Sequence, residues 1–316
     1  MLNQPSSFQP QESWSTIPTQ PVDNDRRRQR EYYQPAPQWM KPRKKRALCC
    51  LLFFIGFLLV IPLLIYIFFP LRSNIIVLGI DYTQHGNFVG RTDTIILITV
   101  TPLKPYIGML SIPRDLWVNI PNLGENRINT AHFFAEANQP GSGPQATIDT
   151  VKANFGITID YYVRIRFEGL RDIVDAMGGV DIILPQSIAG YPPGLQHLNG
   201  NKALAFARHR AGSDDFFRME HGQLLIKSMI KQLVKPKSWN RLPQVLVAAL
   251  RSIDTNIPAW QLPRLIIALL RIGPEGIDNR IISRDMTTPF TTSQGASVLI
   301  PNWKMINPVI KELFSQ

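Results

Sequence analysis

The sequence predicts an α/β protein, a three-layer sandwich around a mainly buried central sheet, preceded by one transmembrane helix. Three observations predict this fold class. A run of 23 uncharged residues lies near the N-terminus. Strongly apolar runs of strand length follow it, and they alternate with segments of helical character. Strands that are buried on both faces are typical of sheets covered by helices on both sides.

The uncharged run, residues 47–69, predicts a membrane-spanning helix. At about 1.5 Å per residue it reaches about 35 Å, enough to cross a hydrocarbon core of about 30 Å. Residues 1–46 carry nine Lys and Arg against four Asp and Glu, and they are rich in Gln, Pro and Ser. This composition predicts a disordered tail. The positive-inside rule places that tail in the cytoplasm and residues 71–316 outside, as an extracytoplasmic domain.

The two cysteines, Cys49 and Cys50, both lie in the predicted span. The outer domain therefore folds without disulfides and depends on its own hydrophobic core. Acylation is one interpretation of these cysteines, and two small apolar residues within a span is the other. Topology and anionic lipid headgroups explain the basic tail, so we expect membrane lipid among the partners and no nucleic acid.

Alternating strand and helix patterns in the outer domain predict the sheet and its covering helices. Strands are predicted at residues 74–80, 94–101, 106–112, 161–167, 180–184 and 297–300. Helices are predicted at residues 131–137, 145–155, 168–177, 201–206, 216–233, 242–253, 262–270 and 302–314. In open α/β sheets the ligand crevice lies at the carboxyl ends of the strands, so polar residues at those ends are candidate site residues.

Two carboxylates lie at such strand ends. Asp81 follows the first strand and Asp93 immediately precedes the second. Together they could bracket a hard cation, because Mg²⁺ is usually held by one or two carboxylates with phosphate oxygens and water. Acidic residues at strand ends also serve as turn or capping residues, so both interpretations stand. Three arginines lie in the same connections: Arg91, Arg114 and Arg127.

A second basic cluster follows the helix predicted at 201–206. Arg208 and Arg210 are two residues apart, so in an extended chain they face the same way and could grip a diphosphate. Arg218 and Gln223 lie at the start of the next helix, and a helix N-terminus favours an anion. A solvated basic edge is the other interpretation of this cluster.

Taken together, these clusters resemble the LytR-CpsA-Psr family of cell-wall enzymes. The matching stretches are NIIVLGID (74–81), GRTDTIILITV (90–100), LSIPRDLWVNIPNLGENRINTAH (110–132), LRDIVDAMGGVDI (170–182), LNGNKALAFARHR (198–210) and DDFFRMEHGQ (214–223). The resemblance implies the transfer of a glycopolymer from a polyprenyl-pyrophosphate carrier to peptidoglycan, with formation of a phosphodiester. It implies an extracytoplasmic domain anchored by a single span.

The resemblance also implies a role for each candidate residue. Asp81 and Asp93 match metal-binding carboxylates, which implies Mg²⁺ as the cofactor, and either could accept the proton of the acceptor hydroxyl. Gln223 matches a glutamine at the pyrophosphate site. Arg127 stands where the family usually has a lysine and keeps its charge, so it too is expected to bind the pyrophosphate. The arginines that match the pyrophosphate site are Arg91, Arg114, Arg208, Arg210 and Arg218. Catalysis is expected from Asp93 with Arg91, Arg114, Arg208 and Arg210.

The sequence departs from the family pattern at two places. Tyr82 and Thr83 stand where an arginine is frequent, and His221-Gly222-Gln223 stands where Arg-Gln-Gln is typical. The helix motif thus lacks one arginine and one glutamine, and His221 could replace part of their contacts. Two alternative functions are left open: a membrane-bound regulator of envelope gene expression, and a non-catalytic wall-polymer binding protein.

Overall fold

The computed structural model describes residues 44–68, 72–80, 88–101, 106–209 and 215–314. The chain divides into two compact units, Met1–Ile61 and Pro62–Gln316. The strands are β1 (Ser73–Ile80), β2 (Thr92–Thr101), β3 (Tyr106–Ile112), β4 (Trp117–Ile120), β5 (Gly124–Arg127), β6 (Tyr161–Arg166), β7 (Val180–Leu184), β8 (Gly194–Leu198), β9 (Ile253–Thr255), β10 (Ile277–Ile281), β11 (Thr287–Thr291) and β12 (Ser297–Pro301). The α-helices are α1 (Lys44–Phe68), α2 (Asn129–Asn138), α3 (Gly143–Phe155), α4 (Phe167–Ala176), α5 (Gly200–Arg208), α6 (Asp215–Val234), α7 (Leu242–Ser252), α8 (Leu262–Ile272) and α9 (Trp303–Phe314).

Helix α1 contains the segment Leu48–Tyr66, which is long and apolar enough to cross a membrane. Its large apolar side chains are exposed along the segment. A core helix would bury such side chains, whereas lipid is a suitable environment for them. Helix α1 therefore agrees with the predicted span, and its orientation stays a prediction. The predicted disordered tail lies outside the described residues except for residues 44–46, which form the first turn of α1, so the prediction of disorder is wrong for these three.

The central sheet has six strands in the order β10-β3-β2-β1-β6-β9. Strand β1 is parallel to β6, and β3 is parallel to β10, whereas β2 runs antiparallel to both β1 and β3. The carboxyl ends of β1, β3, β6 and β10 therefore meet at one edge of the sheet, together with the start of β2. We call this the site edge.

Helices cover both faces of the central sheet, which confirms the three-layer sandwich. On one face, Leu78 and Leu97 are fully buried in a cluster that includes Val151 of α3 and Leu313 of α9. Ile96 faces the other way and packs with residues of α6 and α8. The apolar strands alternate between two buried faces, and this explains why their sequences are apolar at nearly every position.

Six short strands were not predicted from the sequence: β4, β5, β8, β9, β10 and β11. They are three to five residues long, and several are mostly polar, as in GENR of β5 and IDNRI of β10. Strand β10 forms one edge strand of the central sheet by pairing with β3, and β9 forms the opposite edge strand by pairing with β6. Such strands form because a partner backbone is available, so local propensity gives little signal for them.

Candidate active site

The site edge brings together the chain segments that carry several predicted site residues. Ile80, the last residue of β1, pairs with Thr92 at the start of β2 and with Arg166 at the end of β6. Strand β3 is antiparallel to β2, so it ends at this edge too. The segments that carry Asp93 and Arg114 are therefore neighbours, as expected from the crevice at strand ends.

Asp93 is the residue on which two predicted arginines converge. Arg114 Nη1 donates to Asp93 Oδ1 at 2.6 Å. Arg218 Nη2, from helix α6, donates to the backbone oxygen of Asp93 at 2.9 Å. Arg218 is buried, whereas Arg114 and Asp93 are partly exposed. Two guanidinium groups from distant segments thus meet at one residue, and such a concentration of positive charge favours an anionic ligand.

A second ion-pair cluster adjoins the first through Asp115. Arg114 Nε lies 3.4 Å from Asp115 Oδ2, and Arg127 Nε lies 3.4 Å from Asp115 Oδ1. Arg127 also donates from Nη2 to the backbone oxygen of Ser297 at 2.6 Å. The predicted arginines Arg114 and Arg127 are therefore linked by one carboxylate. Because Arg127 is held by β12, its side chain is fixed beside this group.

Arg208 lies near the site edge, where its guanidinium group contacts the ring of Phe167. Its guanidinium carbon lies 5.3 Å from the ring centroid of Phe167, and its Nη2 lies 3.8 Å from Glu168 Oε1. Phe167 in turn is packed against the end of β1, because a Cβ atom placed on Gly79 would lie 3.1 Å from Phe167 Cε1 and 2.9 Å from Thr94 Cβ. Glycine is thus required at position 79 for this close approach.

Arg91 is exposed just before β2, and the residue before it is fixed by a buried histidine. His132 Nδ1 lies 3.0 Å from the backbone oxygen of Gly90. A carbonyl oxygen can only accept, so Nδ1 carries the hydrogen. Burial lowers the pKa of His132 to about 4, and the neutral ring accepts at Nε2 from Arg164 Nη1 at 3.3 Å.

Sequence reasoning missed this network around Arg164. Arg164 is buried, and its Nη1 lies 2.8 Å from Glu136 Oε2 while its Nη2 lies 2.7 Å from Asp254 Oδ2. The ring centroid of Phe88 lies 3.9 Å from its guanidinium carbon. The alternation in YYVRIRF places Arg164 on the face opposite Val163 and Ile165, which indicates a solvated side chain, so only the structure reveals its burial in ion pairs.

Gln223 contacts protein groups at the sheet. Its Nε2 donates to Ser111 Oγ at 2.8 Å and to the backbone oxygen of Arg280 at 2.9 Å. Both hydrogens of the amide nitrogen are thereby used, and the residue is buried. Gln223 therefore attaches α6 to β3 and β10. A contact of Gln223 with pyrophosphate stays a prediction.

His221 lies in a group of rings. Its ring centroid is 5.0 Å from that of Phe206, 6.5 Å from that of Phe217 and 6.2 Å from that of His209. Burial lowers the pKa of His221, and the neighbouring His209 lowers it further. A buried, neutral imidazole provides no positive charge, so His221 is a poor replacement for the charge of an arginine.

Asp81 and Arg210 lie outside the described residues, so their predicted roles stay predictions. Among the residues that the structure does describe, no group of three or more His, Cys, Asp or Glu could hold a metal ion. The magnesium prediction thus depends on Asp93 with Asp81. A carboxylate offers about four lone-pair positions. Asp93 can therefore accept from Arg114 and still bind a hard cation, and the donor chemistry fits.

Comparison with known proteins identifies the family. The model of the LytR_cpsA_psr family matches residues 72–314. A relative from Oceanobacillus iheyensis, named polyisoprenyl-teichoic acid--peptidoglycan teichoic acid transferase TagU, is 30% identical over 246 residues, which are 76% of this chain and 74% of that protein. The protein of the same name from Halalkalibacterium halodurans is 34% identical over 202 residues, 60% of this chain and 63% of its own length. The chain thus spans less than two thirds of this second relative.

Solved structures share the fold. The crystal structure of B. subtilis TagV is 25% identical with a TM-score of 0.63, and the match covers 77% of this chain and 97% of that one. The structure of TagT bound to LI-WTA has the same TM-score of 0.63 at 21% identity, covering 77% of this chain and 90% of that one, which shows the fold alone. Because the family model spans the whole folded domain, the chain belongs to the LytR-CpsA-Psr family.

Proposed function

We propose that this chain transfers a glycopolymer from a polyprenyl-pyrophosphate carrier to a hydroxyl group of peptidoglycan, forming a phosphodiester. The observation that carries the proposal is the meeting of Arg114 and Arg218 at Asp93, beside Arg208 at the same sheet edge. The names of the TagU relatives support a wall glycopolymer as donor and peptidoglycan as acceptor.

The reaction is a substitution at phosphorus. The oxygen of the acceptor hydroxyl attacks the phosphorus atom that carries the glycopolymer, and a new P–O bond forms. The P–O bond to the bridging oxygen breaks, so polyprenyl phosphate leaves. Such reactions depend on alignment and charge stabilisation rather than on covalent chemistry by the protein. The partly exposed Arg114 and Arg208 donate to phosphate oxygens, and the buried Arg218 holds the Asp93 backbone in place.

Asp93 is our candidate for accepting the hydroxyl proton, because Arg114 Nη1 contacts its Oδ1, whereas Asp115 has both of its oxygens facing arginines and Glu168 pairs with Arg208. Asp81 is the alternative base. Mg²⁺, held by Asp93 and Asp81, would neutralise charge on the pyrophosphate oxygens. The proton released from the acceptor oxygen goes to the carboxylate as the new bond forms.

The location of the chain supports the same proposal. Helix α1 carries a candidate span, and the nine basic residues before that span favour an N-terminus in the cytoplasm by the positive-inside rule. The folded domain is then outside the membrane, on the side where peptidoglycan lies. A lipid-linked donor would be in the same bilayer as the span.

The test is a transfer assay with the full chain in vesicles, a polyprenyl-pyrophosphate-linked wall oligosaccharide and a peptidoglycan fragment. Arg114→Ala and Arg208→Ala are the site variants. Arg171→Ala is the matched control, because Arg171 is an exposed arginine of α4 paired with its neighbour Asp172. Loss of one donor to a charged transition state costs about 10²–10³ in rate, so we expect that loss in the site variants and none in the control.

Three results would overturn parts of the proposal. Equal rates in all variants would remove the arginines from the site. Binding of the donor without covalent product in the unmodified chain would favour a non-catalytic wall-polymer binding protein. Transfer that continues unchanged in a chelator would remove the magnesium assignment.

A further inference from the structure

Helices α7 and α8 each carry an exposed apolar stripe. In both helices the exposed residues recur every four positions, which places them on one side of a helix. Leu250 is 74% exposed and Ile266 is 54% exposed, and a row of such side chains, unlike a single exposed leucine, is informative. The exposed residues are Leu242, Leu246, Leu250, Leu262, Ile266 and Leu270.

The opposite sides of the same helices already pack in the domain. Val245 of α7 is buried against Ile173 of α4. Ala268 of α8 is buried in a cluster with the sheet residues Ile96 and Met109. Each helix therefore has a second apolar face, the exposed stripe, that does not pack in the hydrophobic core. A helix that is apolar on two sides needs a second apolar environment.

Within the segment that carries these stripes, the charges are almost all positive. Residues 235–272 contain six Lys and Arg and only one acidic residue. That residue, Asp254, is already ion-paired with the buried Arg164 at 2.7 Å. The exposed basic residues of the segment are Lys235, Lys237, Arg241, Arg251 and Arg271. An apolar surface rimmed by lysine and arginine is complementary to an anionic lipid surface.

Two exposed tryptophans accompany the stripes. Trp239 lies in the turn before α7, and Trp260 lies directly before α8. Within the compact unit Pro62–Gln316, the ring centroid of Trp260 is 6.3 Å from that of Tyr66, the last residue of the candidate span. Tryptophan and tyrosine are enriched where a protein meets the interface between lipid and water. The start of α8 therefore lies where the span ends.

We infer that α7 and α8 form a membrane-docking surface, with their apolar stripes in the interfacial region of the bilayer that holds the span. Trp239 and Trp260 would lie at the level of the headgroups, and the lysines and arginines would contact anionic phosphates. A second copy of the chain is a poorer occupant, because a symmetric contact through this face would bring like charges together. This inference does not depend on the transferase reaction.

The test uses the full chain with Cys49→Ser and Cys50→Ser, so that a single introduced cysteine can carry a nitroxide spin label. Leu250→Cys and Ile266→Cys report on the two stripes. Phe290→Cys is the matched control, because Phe290 is 54% exposed, as Ile266 is, and lies in the β11–β12 hairpin. Each protein is reconstituted in vesicles of phosphatidylcholine with phosphatidylglycerol, and collisions with oxygen and with an aqueous nickel chelate are measured.

We expect the labels at positions 250 and 266 to be reached by oxygen and protected from nickel, while the label at position 290 stays open to nickel. Omitting phosphatidylglycerol should weaken the protection at positions 250 and 266. Nickel access equal to that of position 290 would overturn the inference. Protection from both reagents, with dipolar coupling between labels of two chains, would overturn it in favour of a contact between copies.

Discussion

The buried Arg164 gives a direct test of how the network behind the site edge stabilises the domain. Its Nη1 lies 2.8 Å from Glu136 Oε2, and the two side chains are 5% and 4% exposed. Its Nη2 also contacts Asp254, which is more exposed. Arg164→Met removes the charge and keeps an unbranched apolar side chain, so the carboxylate of Glu136 remains buried without its cation.

The expected loss follows from burial. Removing one partner of a buried ion pair costs about 3–5 kcal/mol, because an uncompensated charge is left behind. Loss of the ion pair between Arg164 and the partly exposed Asp254 adds no more than about 1 kcal/mol to this cost. Arg171→Met is the matched control, since the side chains of Arg171 and its partner Asp172 are 41% and 51% exposed. We expect that variant to lose less than about 1 kcal/mol.

The loss should also depend on pH. Burial raises the pKa of Glu136, but hydrogen bonds from the Gly141 and Gly143 N–H groups and the charge of Arg164 outweigh it, so the net pKa is lowered. A carboxyl group whose pKa is lower in the folded protein than in the unfolded chain stabilises the fold at pH values above the unfolded pKa. That stabilisation is lost as the pH falls through the folded pKa. Without Arg164 the pKa of Glu136 rises, and the carboxyl group can take up a proton. The difference between variant and unmodified protein should therefore shrink between about pH 7.5 and about pH 5.

The assay is urea unfolding of residues 72–316, followed by circular dichroism at both pH values. The double variant Arg164→Met/Glu136→Gln should recover part of the loss, because the unpaired charge is gone. A loss no larger than that of Arg171→Met would refute the reasoning. A large loss that is the same at both pH values would refute the assignment to Glu136.

Three further predictions follow from single contacts. Burial lowers the pKa of His132 to about 4, so its imidazole should stay neutral in the folded domain down to about pH 4. Because the unfolded chain binds this proton at a higher pH, the unfolding free energy should fall below about pH 6.5. An NMR titration midpoint near 6.5 for His132 in the folded domain would contradict this. Gln223→Ala should lower the unfolding free energy by about 1–3 kcal/mol, since it leaves Ser111 Oγ without its hydrogen-bond donor. Unchanged stability in urea, together with lost binding of the lipid-linked substrate, would assign Gln223 to substrate binding alone. Gly79→Ala should cost about 1–3 kcal/mol by overpacking against Thr94, and an unchanged melting temperature would contradict the close approach.

Local sequence patterns determined much of the fold. The apolar runs of β1, β2 and β3 predicted a sheet buried on both faces, because such strands have no polar side to present to water. The uncharged run of α1 predicted the span for the same kind of reason. The candidate arginines were found in the sequence because they lie at strand ends, in the motifs that resemble the family.

The sequence could not predict β10, Arg164 or the contacts of Gln223. The IDNRI segment of β10 is polar and becomes a strand only because β3 offers it a backbone to pair with. The ion pairs of Arg164 join residues 28 and 90 positions away along the chain, and no local pattern encodes such a distance.

The sequence by itself therefore determined which residues are apolar, which are charged and which segments form helices and long strands. Only the tertiary structure decided which charges meet. Arg114 and Arg218 converge on Asp93 because β2 runs antiparallel to β3 and α6 packs across the sheet. Hydrophobic burial fixes those positions without regard to charge, so the location of the site is a consequence of packing.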